Sequence, residues 1–259
     1  MPRIALTCEY DGTDFVGFQI QDNGRSVQEE LNKALSELYK TDIKVTGCSR
    51  TDSGVHAREH VSSADVPFFI PEDKIPLALN SLLPPDLSAK RAYYVKPDFN
   101  ARFNTLGKRY VYRIFCGQTR SPLLERYSYF CTYSPDIELM RSAAALMAGE
   151  HDFAAFCAAG SSASTTVRRL FSVDVSRTDS GVIEIEVKGE AFLYNMVRII
   201  AGTLLYVGIG KLTVSDVAGL FEHPERSDAG KTLPPHGLTL EEVFYDWEKW
   251  REKPDQSGS

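Results

Sequence analysis

The chain has 259 residues, of which 43% are hydrophobic and 25% are charged, and this composition is typical of a globular protein with one large or two small domains. The longest apolar stretch, 191–209, contains Asn195 and Arg198, so it predicts a core helix and argues against a membrane span. The formal net charge of −6 gives no general attraction to phosphate, which by itself argues against an RNA-binding protein.

The first half of the chain predicts alternating strands and helices. Ser26 is a good N-cap and Glu29 follows it at the spacing of a capping box, so a helix should begin there. The predicted elements are a strand at 3–10, a helix at 26–40, strands at 43–50 and 59–66, a helix from Pro71 and a strand at 89–95. This order is the split arrangement found in ferredoxin-like domains.

A boundary near Asn104 opens a second half with a similar order of elements. The predicted strands lie near 108–116, 126–133, 168–178, 181–190 and 239–246, and the predicted helices near 135–148, 192–208 and 213–222. We therefore expect domains at 1–104 and 105–250, followed by a disordered tail at 251–259.

The cysteines predict a reducing environment. They stand apart at positions 8, 48, 116, 131 and 157, and their number is odd. This pattern suggests neither a disulfide framework nor a zinc site, and reduced thiols fit a cytoplasmic protein. The residues after Met1 alternate like a strand and lack the apolar core of a signal peptide, which also predicts a cytoplasmic location.

One stretch, 86–130, departs from the acidic average of the chain. It holds nine Lys or Arg residues against three acidic ones, and ten Phe or Tyr residues are interleaved with them. Basic groups among aromatic rings suit a groove that tracks phosphates and stacks bases. The structural alternative is an amphipathic strand whose charged face is simply solvated.

The segment 47–57 carries the strongest chemical signal. It places Arg50, Asp52, Gly54 and His56 within seven positions at the end of a strand-like run. Strand side chains repeat every two residues, so Arg50 and Asp52 should face the same side, and Gly54 allows a tight turn. Such an aspartate is usable as a nucleophile or a base. The alternative is an ordinary turn in which Asp52 caps a backbone N–H and pairs with Arg50.

This segment resembles the active-site motif of the tRNA pseudouridine synthase A family, in which Arg-Thr-Asp-x-Gly-Val-His carries the single catalytic aspartate. Further segments resemble the family in the same order along the chain: 10–13, 17–19, 26–29, 99–103, 108–112, 149–153, 192–198 and 237–240. The departures from the family pattern are Phe18, Cys48, Ser49, Ser53 and Pro235-His236.

The resemblance implies that Asp52 is the catalytic residue and that Arg50, Tyr110, Arg198 and Arg102 bind the substrate. Arg198 lies in an apolar helix and needs a partner, because an unpaired buried charge is costly. That partner is a local acid such as Glu190 or, as the resemblance implies, Asp52 across a cleft.

Two other residues have structural alternatives. Tyr110 by default belongs to the core, whereas in the family the matching tyrosine lies against the target base. His56 is expected to be structural, and so is the segment His151-Asp152-Phe153, which only superficially resembles a catalytic dyad.

Together with the element order, the resemblance implies an α+β fold. Two ferredoxin-like (RRM-like) halves would form a continuous, mostly antiparallel sheet with helices packed on one side and a central basic cleft. The implied activity is isomerisation of uridine to pseudouridine in the anticodon stem-loop of tRNA, at about positions 38 to 40. It needs no cofactor and no metal, and the implied assembly is a homodimer with tRNA as partner and no membrane.

Two rival functions remain from the residues alone. The chain could be a non-catalytic RNA-binding module, since ferredoxin-like folds with aromatic strands also bind RNA without reacting. It could also be a small-molecule hydrolase that uses Asp52 with His56. A basic, aromatic-rich groove argues against the hydrolase, and a carboxylate in such a groove argues against a pure binder.

Overall fold

The protein is described by a computed structural model that covers residues 1–161 and 163–252. Most of the tail predicted at 251–259 therefore lies outside the described residues. The chain forms two compact units. The first unit contains Met1–Leu106 and the segment from Leu240 onward, and the second unit is Gly107–Thr239. The predicted boundary near Asn104 lies two residues before the last residue of the first segment.

The first unit is a mixed α/β structure built on an antiparallel sheet. Its elements up to residue 106 are β1 (Arg3–Tyr10), α1 (Val27–Tyr39), β2 (Thr46–Gly47), β3 (His56–Asp65), α2 (Lys74–Asn80) and β4 (Leu87–Val95). β1 lies between β3 and β4 and pairs antiparallel with both, while β2 pairs with β3. The central strand β1 is buried over most of its length.

Helix α1 begins where the sequence predicts. The Ser26 hydroxyl accepts the Glu29 N–H at 3.3 Å, which satisfies one of the helix's unpaired donors. Val27, Leu31 and Leu35 recur at helical spacing and are buried. The helix ends at Lys40, which adopts a left-handed conformation with φ of 54°.

Strand β2 is much shorter than the predicted strand at 43–50. Two residues of that stretch bond to side chains of α1 instead of to a neighbouring strand. The Ile43 N–H donates to the Ser36 hydroxyl at 2.9 Å, and the Val45 N–H donates to the Asn32 side-chain oxygen at 2.9 Å. Only Thr46 and Gly47 remain in the ladder, so the rest of the stretch is an extended edge anchored to α1.

The second unit also has a mostly antiparallel sheet. Its elements are β5 (Gly107–Cys116), β6 (Tyr129–Cys131), α3 (Ile137–Ala145), β7 (Gly149–Asp152), β8 (Val167–Arg177), β9 (Val182–Gly189), α4 (Met196–Gly208) and α5 (Val214–Glu222). The strands follow the order β5-β9-β8-β7, and β6 pairs parallel to β5. The chain then forms β10 (Leu238–Phe244), which neighbours β3, and ends its described part with the short helix α6 (Trp247–Trp250).

The predicted core helix is α4, and nearly all of its residues are buried. It starts at Met196 and not at the predicted residue 192, because Asn195 has a left-handed φ of 60° that a continuing helix does not allow. Within the described part of the chain, no helix is long and apolar enough to cross a membrane. The predicted mixed fold with a mostly antiparallel sheet is confirmed; β7 and α6 were not predicted.

Candidate active site

The predicted catalytic aspartate lies on a loop that joins β2 to β3. We call residues 48–55 the Asp52 loop. Its backbone is fixed at both ends: the Cys48 N–H donates to the Val61 carbonyl at 2.8 Å, and the Val55 N–H donates to the Asp52 carbonyl at 3.2 Å in a tight turn. The turn needs Gly54, whose φ is +77°.

A second segment, 15–18, runs along the Asp52 loop and braces it. Gly17 and Asp52 form an isolated antiparallel bridge, and the Phe18 N–H donates to the Thr51 carbonyl at 3.1 Å. The Phe15 carbonyl accepts the Gly54 N–H at 3.3 Å. The backbone of residues 51–54 is therefore held by hydrogen bonds on the side facing this segment.

The 15–18 segment is in turn held by the first turn of α1. The N–H of Val27 donates to the Gly17 carbonyl at 3.2 Å, and that of Gln28 donates to the Phe18 carbonyl at 2.9 Å. These donors have no partner inside the helix. The N-terminus of α1 thus fixes the segment that fixes the Asp52 loop.

The side chains of the Asp52 loop differ in exposure. Arg50 is exposed, Thr51 is 8% exposed and Asp52 is intermediate. The Thr51 hydroxyl lies 2.8 Å from the Tyr10 hydroxyl in the core, which anchors the loop between the two charged residues. Ser53 is also exposed, so exposure does not follow a period of two along the loop, and the same-side placement of Arg50 and Asp52 stays a prediction.

Two histidines near the loop have structural roles. His56 is 3% exposed, and its Nδ1 accepts the Gly12 N–H at 3.0 Å. Asp11 Oδ1 also lies 3.2 Å from His56 Nδ1, but the hydrogen bond from Gly12 requires Nδ1 to be unprotonated, so this second contact is not an ion pair in that state. A buried ring that accepts a backbone N–H does not suit the acid–base partner that a hydrolase would need, and this geometry agrees with the expectation that His56 is structural.

His60 contacts the Asp52 loop directly. Its Nε2 donates to the Ser49 carbonyl at 3.0 Å, and its ring stacks on Phe18 with centroids 4.1 Å apart. A side chain at Gly47 would enter this stack, since an added Cβ would lie 2.3 Å from the Phe18 ring. Sequence reasoning noted Phe18 only as a departure from the family pattern and missed His60, because their contact joins residues far apart in the chain.

Arg102 lies on a surface turn after β4 in the first unit. It is exposed, and its guanidinium carbon lies 5.6 Å from the centroid of the Phe103 ring, which is 75% exposed. Phe99 and Ala101 are buried on either side of Asn100, so the turn is anchored while Arg102 and Phe103 project outward. An exposed cation over an exposed ring is suited to contact with a nucleotide.

Arg198 lies in the first turn of α4 in the second unit. Its Nε donates to the Leu233 carbonyl at 2.7 Å, and one terminal nitrogen donates to the Asn195 side-chain oxygen at 2.6 Å. The guanidinium is therefore oriented by two neutral acceptors within its own unit. Glu190, the local acid considered as a partner, lies 4.0 Å from Arg169.

Gly202 allows another backbone segment to approach α4 closely. An added Cβ there would lie 1.9 Å from the Lys231 carbonyl oxygen, so no other residue fits. The Leu233 N–H also donates to the Arg198 carbonyl at 3.3 Å. Segment 230–233 is thereby packed against α4 and positions the acceptor that orients Arg198.

Tyr110 lies on β5 and is 7% exposed. Its ring meets the edge of Phe192, with centroids 5.0 Å apart and planes at 79°. This partial burial agrees with the core alternative for most of the ring. Phe192, which precedes α4, is a contact that sequence reasoning missed.

Several basic residues of 86–130 are neutralised by acids. Arg109 lies 3.0 Å from Glu186, and Arg113 lies 2.8 Å from Glu184, in both cases across the β5–β9 ladder. Lys90 lies 2.8 Å from Glu9, and Arg91 pairs with Glu59. For these positions the structure agrees with the alternative of a solvated, charge-paired strand face.

The segment 151–153 is a packing element, as predicted. His151 Nε2 donates to the Ala148 carbonyl at 3.0 Å, and its ring lies 4.6 Å from that of Phe221. Asp152 accepts the Ala154 N–H at 3.0 Å in a local turn. Each group is used by nearby structure, so no catalytic dyad forms. Among the described residues, no group of three or more His, Cys, Asp or Glu side chains could hold a metal ion.

Comparison with known proteins identifies the family of the chain. A family model described as tRNA pseudouridine synthase matches residues 7–104 and 143–246. The tRNA pseudouridine synthase A of Ruminiclostridium cellulolyticum is 45% identical over 247 residues, which are 95% of this chain and 100% of that protein. The enzyme of the same name from Bacillus subtilis is 42% identical over 94% of this chain and 99% of its own length.

A solved Cbf5-Nop10-Gar1 complex is a distant structural likeness, with 14% identity, a TM-score of 0.35, and coverage of 78% of this chain and 45% of that one. The assignment depends on the family model and on the full-length relatives. The chain belongs to the tRNA pseudouridine synthase A family, a family of isomerases.

Proposed function

We propose that this protein isomerises uridine to pseudouridine in the anticodon stem-loop of tRNA, at about positions 38 to 40, with Asp52 as the catalytic group and without a cofactor. The observation that carries the proposal is the bracing of the Asp52 loop by segment 15–18 in a member of this family. A fixed backbone under a half-exposed carboxylate is what a precisely oriented reacting group requires.

The reaction moves one bond and conserves all atoms. The N1–C1′ bond of uridine breaks, the base turns, and a C5–C1′ bond forms while the C5 proton is lost and N1 gains a proton. Asp52 either attacks C1′ as a nucleophile or takes a proton from the sugar as a base. Both routes need one carboxylate held close to the ribose, and neither needs a redox partner.

The target nucleotide must leave its stack, and the proposed binding residues would offset that cost of a few kcal/mol. Arg50 is exposed two residues before Asp52 and would contact the backbone of the extruded nucleotide. The ring of Tyr110 would lie against the target base, where stacking contributes about 1–3 kcal/mol. Arg102 with Phe103 would contact RNA farther from the reacting base.

We further propose that Arg198 is the partner that keeps Asp52 charged and oriented. Its bonds to the Leu233 carbonyl and to the Asn195 side-chain oxygen orient the guanidinium within the second unit. An arginine that is only partly exposed is more stable with a carboxylate nearby. The family resemblance names Asp52 for that role.

The remaining parts of the proposal follow from family membership. They are ferredoxin-like halves joined by a basic cleft, a homodimer that binds tRNA, and a cytoplasmic location. The strand order β4-β1-β3 with β2 on β3 supports the ferredoxin-like description of the first unit. The acid-paired arginines of β5 do not support a basic cleft, so its positive charge would have to come from other residues.

A single assay tests the function. Unmodified tRNA is incubated with the protein, and pseudouridine is mapped by carbodiimide adducts and primer extension. We expect adducts at about positions 38 to 40 and none in a transcript whose uridines there are replaced by cytidine. A gel shift of the tRNA without adducts would instead identify a non-catalytic RNA-binding module, and a protein that does neither would not be an RNA enzyme.

A further inference from the structure

The structure brings together two cysteines that the sequence keeps apart. Cys116 is the last residue of β5 and Cys131 is the last residue of β6. The two strands run parallel, and Cys116 is the register partner of Cys131. The Gly117 N–H donates to the Cys131 carbonyl at 3.1 Å, and this hydrogen bond holds the two strand ends together next to the cysteines.

The backbone geometry at this pair fits a disulfide. Adjacent strands lie about 4.8 Å apart, and register partners project their side chains to the same face of the sheet. Disulfides span Cα separations of about 4.4–6.8 Å. The register pairing therefore brings the two side chains near each other on one face of the sheet. Both are present as free thiols.

We propose that Cys116 and Cys131 form a reversible disulfide when the protein meets a hydroperoxide such as hydrogen peroxide, and that this dithiol is a redox modification site of the protein. The bond would link the residues on either side of segment 117–130, which is exposed at Leu123. The proposal concerns the thiols alone and does not depend on the proposed function.

The surroundings of the pair favour reaction at one sulfur. The hydrogen bond from Cys116 lowers the pKa of the Cys131 thiol to about 6, and the Tyr133 N–H and the Lys231 ammonium add to this against the opposing effect of burial. The same hydrogen bond raises the pKa of Cys116, with burial adding to the shift. The thiolate, which is the nucleophile, therefore resides on Cys131.

The proposed step balances in two stages. The Cys131 thiolate attacks one oxygen of hydrogen peroxide, the O–O bond breaks, and the leaving hydroxide takes a proton to become water. The resulting Cys131 sulfenic acid is then attacked by the Cys116 sulfur, which loses its proton. An S–S bond forms, the S–O bond breaks, and a second water leaves. Cys131 is 5% exposed, and a water-sized oxidant suits so small an opening.

The other cysteines serve as internal controls. Cys157 lies in the same unit, is partly exposed, and donates only to the Ala158 carbonyl at 3.6 Å. Cys8 is fully buried, and burial raises the pKa of its thiol. Neither has a partner thiol that stabilises its thiolate as Cys116 stabilises that of Cys131, so both should react slowly.

The test uses the full-length protein with hydrogen peroxide at pH 7. Remaining thiols are alkylated, the protein is digested with trypsin without reductant, and peptides are measured by mass spectrometry. We expect peptide 114–120 to be linked to peptide 127–141, with both thiols lost at least about tenfold faster than that of Cys157 and restored by dithiothreitol. Equal rates at Cys157, or a Cys131 sulfinic acid without linked peptides, would overturn the proposal.

A variant tests the order of the two stages. In Cys116→Ser no disulfide can form, so the Cys131 sulfenic acid should persist and be captured by dimedone. Capture at Cys157 but not at Cys131 would contradict the assignment. Circular dichroism checks that the variant is folded, and the wild-type measurement decides the main proposal in either case.

Discussion

Gly17 and Asp52 face each other in an isolated antiparallel bridge, although they are 35 positions apart in the chain. The bridge places the backbone of the predicted catalytic residue against segment 15–18, which is hydrogen-bonded to the N-terminus of α1. The position of the carboxylate therefore depends on backbone contacts that no side-chain pattern in 47–57 records.

Asp52→Asn should abolish pseudouridine formation while leaving tRNA affinity nearly unchanged. The amide has nearly the same shape but is neither a nucleophile nor a base, so the loss should be at least about a thousandfold in kcat. Single-turnover assays and a filter-binding Kd measure the two effects. The matched control is Ser53→Ala, which removes only the 3.2 Å bond from the Ser53 hydroxyl to Phe15 and should retain activity. Turnover in the Asn variant would remove Asp52 from the mechanism.

Arg198→Ala should lose activity through misplacement of Asp52, with a smaller effect on tRNA affinity. Arg198→Lys keeps the charge but cannot donate to Leu233 and Asn195 in the same geometry, so it should recover only part of the rate. A double-mutant cycle with Asp52→Asn separates the explanations. If Arg198 acts through Asp52, its loss should cost little more in the Asn background. Additive losses would mean that Arg198 acts independently.

Tyr110→Phe should retain more activity than Tyr110→Ala, because the proposed contact with the base uses the ring. Removal of the ring should weaken transition-state binding by about 1–3 kcal/mol, or roughly fivefold to 150-fold in kcat/KM. Phe192→Leu is the companion variant, since Phe192 holds the ring edge-on at 5.0 Å. Equal losses in Phe and Ala variants would point to the hydroxyl group instead.

Gly17→Ala should destabilise the first unit and lower activity together. Gly17 has a φ of +118°, and an added Cβ would lie 2.7 Å from the Thr51 carbonyl oxygen. We expect a loss of about 1–3 kcal/mol in the free energy of unfolding. Gly181→Ala is the control, because its φ is +82° but nothing lies within 4 Å, so it carries strain without a clash. Thermal unfolding of both variants measures the difference, and an equal shift would exclude the clash at Thr51.

One thiol should titrate with a midpoint near pH 6 in the folded protein, because the pKa of Cys131 is lowered to about 6 from an ordinary value near 9. The folded-state pKa lies below the unfolded one. The resulting stabilisation is therefore fully present above pH 9, declines as the pH falls, and is gone below about 6. Thiolate absorbance at 240 nm measures the midpoint. The signal should vanish in Cys131→Ser and persist in Cys157→Ser.

Local signals predicted most of the elements correctly. Ser26 with Glu29 located the start of α1, and the apolar stretch around Arg198 identified α4 as a core helix. The errors occurred where tertiary bonds replaced local ones: at 43–45, where α1 side chains take the backbone donors, and at Asn195, where a left-handed residue delays the helix. Helix and strand propensities cannot predict such a change of hydrogen-bond partner, because it depends on the segment that supplies the partner.

The sequence by itself determined the family and the identity of the candidate residues. Motifs such as Arg50-Thr51-Asp52 are local strings, and their chemistry is carried by side-chain types that a fold does not change. Only the tertiary structure decided which residues meet: the bridge from Gly17 to Asp52, the stack of Phe18 on His60, and the register pairing of Cys116 with Cys131. The physical reason is that hydrogen bonds and packing act over a few ångströms in space, while the sequence records only distance along the chain.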